Sequence, residues 1–298
     1  MKMNLVGAGY WGSKLLRNLA KFDVDATVFD IRNGQSINDI KNKDPVILAT
    51  PLWQHYEQTM QLLERGHDVY VEKPMAETTL QLLDINEKIK KDQLLMVGHI
   101  FVYHPQMQLI KDIIANGGIG TIHHVRSERS NWGIYQTKTD PLLSLATHDI
   151  SIVQNLISNM IVTNQQVWNY SNNVVPDRVW FCGPSYDIDI TWYSPVRLRR
   201  TTILGTIGQL VWDQDANTVT HYRNRIENNR AIEVTPTVYT YDYKLTPLES
   251  ELKHWIDCVR TRTQPSTGIE QALAVAGVID RVKAITQPVP VKSYLELH

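Results

Sequence analysis

Three short segments early in the chain hold residue types suited to redox chemistry on a hydroxyl group. They are Gly7-Ala8-Gly9-Tyr10-Trp11-Gly12, then Asp30, then Glu72-Lys73-Pro74. The first follows an apolar stretch and precedes a helical one, the context in which Gly-x-Gly-x-x-Gly binds a dinucleotide. Gly7 permits a tight turn, Gly9 has no side chain to hold a pyrophosphate away, and Gly12 lets the helix approach the sheet. A helix start there offers free backbone N–H groups and partial positive charge to phosphates. An acid at position 30 accepts hydrogen bonds from the adenine-ribose hydroxyls and repels a 2′-phosphate, which favours NAD over NADP. Arg32 is the counter-argument, because a nearby arginine can hold that phosphate. Lys73 falls at the end of a strand, where ligands of open α/β sheets gather. Pro74 restricts the backbone beside it and is a candidate for a cis bond.

These groups need elements to position them. Lys2–Val6 reads as a strand, Ser13–Phe22 as a helix with Leu15, Leu16 and Leu19 on one side, and Ala26–Phe29 as a second strand. Strands over Pro45–Thr50, His67–Val71 and Leu94–Val97 alternate with helices over Trp53–Arg65 and Thr79–Lys91. Such alternation predicts an α/β fold with a parallel, Rossmann-type sheet covered by helices over residues 1–98. Residues 99–298 read as an α+β domain for substrate binding and oligomerisation. It has helices at Pro105–Ala115 and His148–Leu156, and a strand at Ile122–Arg129. Runs rich in Val, Thr, Tyr and Trp between Val162 and Tyr243 predict an open, mostly antiparallel sheet. Helices over Pro247–Arg260 and Ile269–Ile285 close the chain and are candidates to pack back on the first domain.

The 298 residues suffice for two cores, and 43% hydrophobic with 20% charged residues is a globular composition. A net charge of −1 points to neither nucleic acid nor membrane as a partner. No signal-peptide pattern or spanning run is present, and Cys182 and Cys258 form no spacing motif, so a cytoplasmic protein with two free thiols is expected. His123 and His124 alternate sides of a strand and cannot easily share one ion, so no metal is expected.

Taken together, the chain resembles the Gfo/Idh/MocA oxidoreductases. Besides the glycine fingerprint and Glu72-Lys73-Pro74, the matching stretches are Ala49-Thr50-Pro51 with His55 and Gly98-His99 leading to Tyr103-His104-Pro105. Ala146-Thr147-His148-Asp149-Ile150-Ser151 and Ser194-Pro195-Val196-Arg197 complete them. The Tyr-Trp-Gly form of the fingerprint and His-Asp-Ile-Ser are similar to a branch that oxidises the C3 hydroxyl of nucleotide-linked amino sugars for surface polysaccharides.

The resemblance implies an NAD-dependent enzyme in which Lys73 hydrogen-bonds the reacting oxygen and His148 is the general acid/base. Around the cofactor it implies Gly7, Gly9, Tyr10, Trp11, Gly12, Asp30 and Ile31 on one side, and Thr50, Pro51, His55, Glu72 and Lys73 on the other. His55 reads equally as plain helix surface, and Tyr103 equally as a core tyrosine. Tyr103, Asn131, Ser144, Thr147 and His148 are the candidate substrate residues, with Arg129 beside Asn131 at a strand end. Relatives carry an aspartate one helical turn before the histidine, where this chain has Ser144, which cannot stabilise an imidazolium by charge. A free-polyol dehydrogenase and a non-catalytic dinucleotide-binding relative are therefore alternatives. The resemblance also implies a homodimer or homotetramer formed through the open sheet.

Overall fold

The computed structural model describes residues 1–132, 140–171, 175–240 and 244–285. It resolves into two compact units. The first comprises Met1–Pro105 and Lys244–Gly277; the second comprises Gln106–Tyr243 and the chain from Val278 onward.

The first unit begins with β1 (Lys2–Val6), α1 (Tyr10–Leu19) and β2 (Asp25–Phe29). Next come β3 (Val46–Leu48), α2 (Leu52–Glu64), β4 (Val69–Glu72), α3 (Thr79–Lys88) and β5 (Leu95–Gly98). Among the described residues these strands form one parallel sheet in the order β2-β1-β3-β4-β5. Every residue of β3 and β4 is buried, as expected for central strands covered on both faces. The order reverses between β1 and β3, so the crevice at their carboxyl ends is the expected ligand site. α1 starts three residues before the expected Ser13, because Gly9 already acts as its N-cap. Only 3₁₀ turns, at Ile31–Asn33 and Ile37–Asp39, link β2 to β3.

The second unit opens with α4 (Pro105–Ala115), β6 (Ile122–Trp132) and α5 (Thr147–Gln154). It continues through β7 (Asn164–Trp168), β8 (Arg178–Gly183), β9 (Tyr186–Thr191), β10 (Tyr193–Gly205), β11 (Gln209–Asp213) and β12 (Thr218–Tyr222). A ribbon of β13 (Arg225–Glu227) and β14 (Arg230–Ile232) precedes β15 (Thr237–Thr240). The large sheet runs β15-β12-β11-β10-β6-β9-β8-β7 and is antiparallel apart from the β6–β9 pair. Alternation separates its faces. Val125, Ser127, Ile188, Ile190, Ile203, Leu210 and Trp212 are buried on one side. The other side carries the ion pairs Arg178–Asp189 and Arg200–Asp213 and a hydrogen-bonded His124–Asp187 pair.

Two further helices follow. α6 (Pro247–Thr261) starts with a capping box between Thr246 and Glu249 and Pro247 in its first turn. Its Leu248, Leu252, Trp255 and Ile256 join Met3, Leu5, Ile47 and Tyr70 in the core of the first unit. α7 (Ile269–Ile285) adds Ala272 to a second core cluster there, on the far side of the sheet strands Val46, Leu48, Val69 and Val71. Among the described residues no helix is long and apolar enough to cross a membrane.

Candidate active site

The fingerprint glycines differ in what they tolerate. Gly7 has φ +87°, and a Cβ on it would lie 2.7 Å from the Ala49 carbonyl oxygen. A Cβ on Gly12 would lie 1.9 Å from the Gly7 carbonyl oxygen, so this glycine allows α1 to pack on the turn. Gly9 is extended, with open space within 4 Å of where its Cβ would be. That space is what a pyrophosphate needs beside the free N–H groups of a helix start. A cleft of about 400 Å³ lies here, lined among others by Gly9, Asp30, Arg32, Thr50, Pro51 and Gln54. It sits at the carboxyl ends of β1, β2 and β3, and its residues fit a dinucleotide. Tyr10 and Ile31, both expected around the cofactor, are exposed.

Asp30 is more heavily engaged than its sequence position suggests. One carboxylate oxygen accepts from the Ala8 N–H at 2.6 Å and from an Arg32 terminal nitrogen at 2.8 Å. The other accepts from the Arg32 N–H at 2.9 Å and its Nε at 2.8 Å. Arg32 first, then the Ala8 N–H, holds the Asp30 carboxyl well below the usual carboxylate range. The aspartate is thus an anion at neutral pH, and the arginine that could hold a 2′-phosphate is forked onto it.

Across the crevice, Thr50 donates to Gln58 Oε1 at 2.7 Å. His55 is buried rather than on the helix surface. Its ring nitrogens lie 2.8 Å from the Thr50 and Pro74 carbonyl oxygens, tying the turn after β3 to the turn after β4. Burial lowers its pKa, against the upward pull of those two carbonyls. Lys73 is half-buried just past β4, and its bond to Pro74 is cis. Glu72, beside it, is buried and accepts from the Trp11 indole N–H and from the Tyr70 hydroxyl. Tyr103 is half-buried; its hydroxyl pairs with Thr267 at 2.8 Å and its ring packs on His254. Those contacts belong to the interior of the first unit.

In the second unit, His148 is the half-buried second residue of α5, and its carbonyl accepts from the Ser151 hydroxyl at 2.7 Å. A π turn over Leu142–Ala146 leads into that helix and contains Ser144. Asp140 caps this turn by accepting from the Leu143 N–H at 2.8 Å. Thr147 is buried. Arg129 and Asn131 lie inside β6, which runs three residues beyond the expected strand end. The pleat turns Arg129 into the core, where its guanidinium donates to Asp149 on α5. Asp149 also accepts from the Ser127 hydroxyl at 2.7 Å. Arg129 is therefore a buried structural ion pair, not the strand-end substrate contact anticipated. Asn131 is half-buried near the strand's end.

Two groups escaped sequence reading. One is the Arg129–Asp149 pair. The other is Glu251, 1% exposed in α6. Its signal was available: with Leu248, Leu252 and Trp255 it occupies the apolar stripe of an amphipathic helix, where a carboxylate is out of place.

The family model described as oxidoreductase family, NAD-binding Rossmann fold (Gfo/Idh/MocA) matches residues 20–99. A 2,7-anhydro-N-acetylneuraminate hydratase of Mediterraneibacter gnavus is 29% identical over 149 residues, 43% of this chain and 39% of that protein. An inositol 2-dehydrogenase/D-chiro-inositol 3-dehydrogenase of Lactiplantibacillus plantarum is 31% identical over 144 residues, 40% of this chain and 41% of that protein. The chain thus spans about two-fifths of the length of these curated relatives. The solved UDP-N-acetylglucosamine 3-dehydrogenase of Acidithiobacillus ferrooxidans matches in fold with a TM-score of 0.79. It is 16% identical, covering 95% of this chain and 96% of that one.

Proposed function

We propose that the chain is an NAD-dependent sugar or polyol dehydrogenase of the Gfo/Idh/MocA oxidoreductase family, whose NAD-binding model matches residues 20–99. More narrowly, its substrate is a nucleotide-linked amino sugar or the corresponding uronic acid, oxidised at a secondary hydroxyl, C3 in this reading, for glycan synthesis. The observation that carries the reading is the first unit's geometry. An open glycine turn, an anionic Asp30 and Lys73 all stand at carboxyl ends of one parallel sheet.

Oxidising a secondary alcohol removes a hydride from carbon and a proton from oxygen, and NAD, when bound, accepts the hydride. Lys73 donates a hydrogen bond to the reacting oxygen and stabilises its developing negative charge. His148 takes the hydroxyl proton as general base, a role that histidine side chains commonly fill. Asn131, Ser144 and Thr147 are assigned to substrate binding. A cytoplasmic homodimer or homotetramer, assembled through the charged face of the large sheet, completes the proposal.

Purified protein incubated with NAD and UDP-linked amino sugars, their uronic acids, inositols and 2,7-anhydro sialic acid tests the reading through NADH formation. Turnover on a nucleotide sugar, lost in Lys73→Ala while NADH is still bound, is the expected result. Turnover on inositols alone transfers the assignment to the polyol reading, to which the Lactiplantibacillus relative lends support. Binding of NADH with no turnover, in both the wild type and Ser144→Asp, leaves a non-catalytic relative as the answer.

A further inference from the structure

Behind Lys73 lies a buried chain of polar groups that the proposed reaction does not use. The Trp11 indole N–H, from the first turn of α1, donates to Glu72 Oε1 at the end of β4. Tyr70, two residues earlier on the same strand and fully buried, donates its hydroxyl to that oxygen at 3.2 Å. Glu251 on α6 contacts the same hydroxyl. Its Oε1 and the Trp255 Nε1, one turn along α6, are buried without a hydrogen-bond partner among the described residues. Tyr103, from the 3₁₀ turn Ile100–Tyr103, and Lys73 are the other titratable groups acting on this cluster. Gly98 on β5 closes it, since a Cβ there would lie 2.6 Å from the Tyr70 hydroxyl oxygen.

Proton counting constrains this arrangement. A phenol has one O–H and lone pairs to spare. Having donated to Glu72, Tyr70 can only accept from Glu251, and only a protonated carboxyl can donate. Were Glu251 ionised, two buried carboxylates would face one donor, and like charges in a low-dielectric interior disfavour that state. Burial raises the pKa of both glutamates, but Trp11, Lys73 and Tyr70 pull Glu72 back down while Glu72 pushes Glu251 further up, so Glu251 is the one that keeps the proton.

We propose that Glu251 is held as the neutral acid and, by donating to Tyr70, keeps Glu72 fixed on Trp11, so that it is a positioning residue for the dinucleotide turn. The chain Glu251–Tyr70–Glu72–Trp11 ties the helix start that meets the phosphates to the strand end that carries Lys73. Loss of the Glu251 proton at high pH loosens that tie. This rests on the dinucleotide reading of the first unit.

The test is NADH affinity across neutral and alkaline pH for wild type, Glu251→Gln and Trp11→Phe, by fluorescence titration. Glutamine keeps the donor without a titratable proton. The expected result is wild-type affinity that weakens by about tenfold on the alkaline limb and Glu251→Gln affinity that stays flat and matches wild type at neutral pH. Trp11→Phe keeps the ring, loses the N–H and binds about tenfold more weakly already at neutral pH. The same alkaline limb in wild type and Glu251→Gln overturns the proposal. Infrared spectra of wild type and Glu251→Gln need no cofactor: a protonated-carboxyl band present in the wild type at neutral pH, lost on alkaline titration and missing from the variant, supports it, and no such band, or one unchanged in the variant, overturns it. A wild type that shows the band yet binds no NADH at any pH refutes the dinucleotide reading and leaves the proton assignment standing.

Discussion

Gly9→Ala and Gly12→Ala separate the two jobs of the glycine turn, and the structure assigns their effects in advance. At Gly9 the backbone is extended, with φ −67° and ψ −162°, and nothing lies within 4 Å of the added carbon. Alanine there is unstrained and reduces unfolded-chain entropy, so stability is expected to stay level or rise by about 0.4–1 kcal/mol. The methyl instead occupies space the pyrophosphate requires. Losing even one backbone hydrogen bond to a charged phosphate costs about 1.5–3 kcal/mol, so NADH affinity is expected to fall by roughly ten- to a hundredfold. Gly12 is the opposite case. Its added carbon would lie 1.9 Å from a backbone oxygen, and contacts under 3.0 Å force a shift. No side-chain rotation relieves it, so the first turn of α1 must move by roughly 1 Å. The helix propensity gained over glycine, about 1 kcal/mol, offsets only part of that strain. Overpacking of this kind costs about 1–3 kcal/mol, and the displaced turn loses NADH as well. Urea unfolding and NADH titration of both variants decide the matter. A Gly9→Ala protein that binds NADH as well as wild type would refute the placement of the phosphates, and an unperturbed Gly12→Ala protein would refute the packing argument.

Three more outcomes follow from the buried and capped groups. Arg129→Met leaves Asp149 as an unpaired buried charge and is expected to destabilise by about 3–5 kcal/mol, whereas Arg129→Met with Asp149→Leu recovers most of that loss in denaturant titrations. Glu249 caps α6 and pairs with Lys21, and its pKa is lowered from 4.5 to about 2, chiefly by Lys21 and then by the Thr246 N–H. A depressed carboxylate stabilises above its unfolded pKa and loses that contribution as pH falls through the folded one. Glu249→Gln should therefore cost about 1 kcal/mol at pH 7, discounted for the exposed lysine, with the deficit vanishing between about pH 4.5 and 2. His99 is buried, neither ring nitrogen has a partner among the described residues, and burial lowers its pKa to about 3. Its neutral form favours the fold above pH 6.5, and that advantage shrinks as pH falls toward 3. His99→Leu should stay within about 1.5 kcal/mol of wild type at pH 7 and unfold less readily than wild type in acid, as monitored by circular dichroism.

What was legible in the sequence was local. Glycine spacing after an apolar strand reports a steric requirement met within a few residues, and Gly7 and Gly12 meet it through contacts with Ala49 and with each other. The ends of α4 and α7 coincide with the sequence reading because Gly117 and Pro105 mark one helix and an apolar repeat carries the other. Strand ends were less legible, since β6 and β10 extend through polar residues whose alternation depends on a partner strand. The sequence placed Arg129 at a strand end, and only the pleat of β6 shows that it faces Asp149. Likewise, His55 sits on a helix, and its burial follows from two carbonyls on separate turns.

Ser144 illustrates how far a spacing argument extends. Counting one α-turn back from His148 reaches position 144, but the backbone there is a π turn, in which hydrogen bonds span five residues rather than four. A carboxylate introduced at 144 would therefore not inherit the geometry that an α-helical count supplies. The carboxylate next to His148 is Asp149, and it is committed to Arg129 and Ser127. That commitment fixes the first turn of α5 against β6, so the backbone carrying His148 is anchored by a charge that faces away from solvent. Orientation of the imidazole can thus arise from a rigid helix start without a carboxylate acting on the ring. On this argument Ser144→Asp raises turnover by less than the gain expected from restoring a charged partner, about 10²–10⁴-fold for a fully effective acid–base group. A rise of that full size, measured as kcat with NAD saturating, would show that position 144 does face the ring and that the π turn does not alter the spacing.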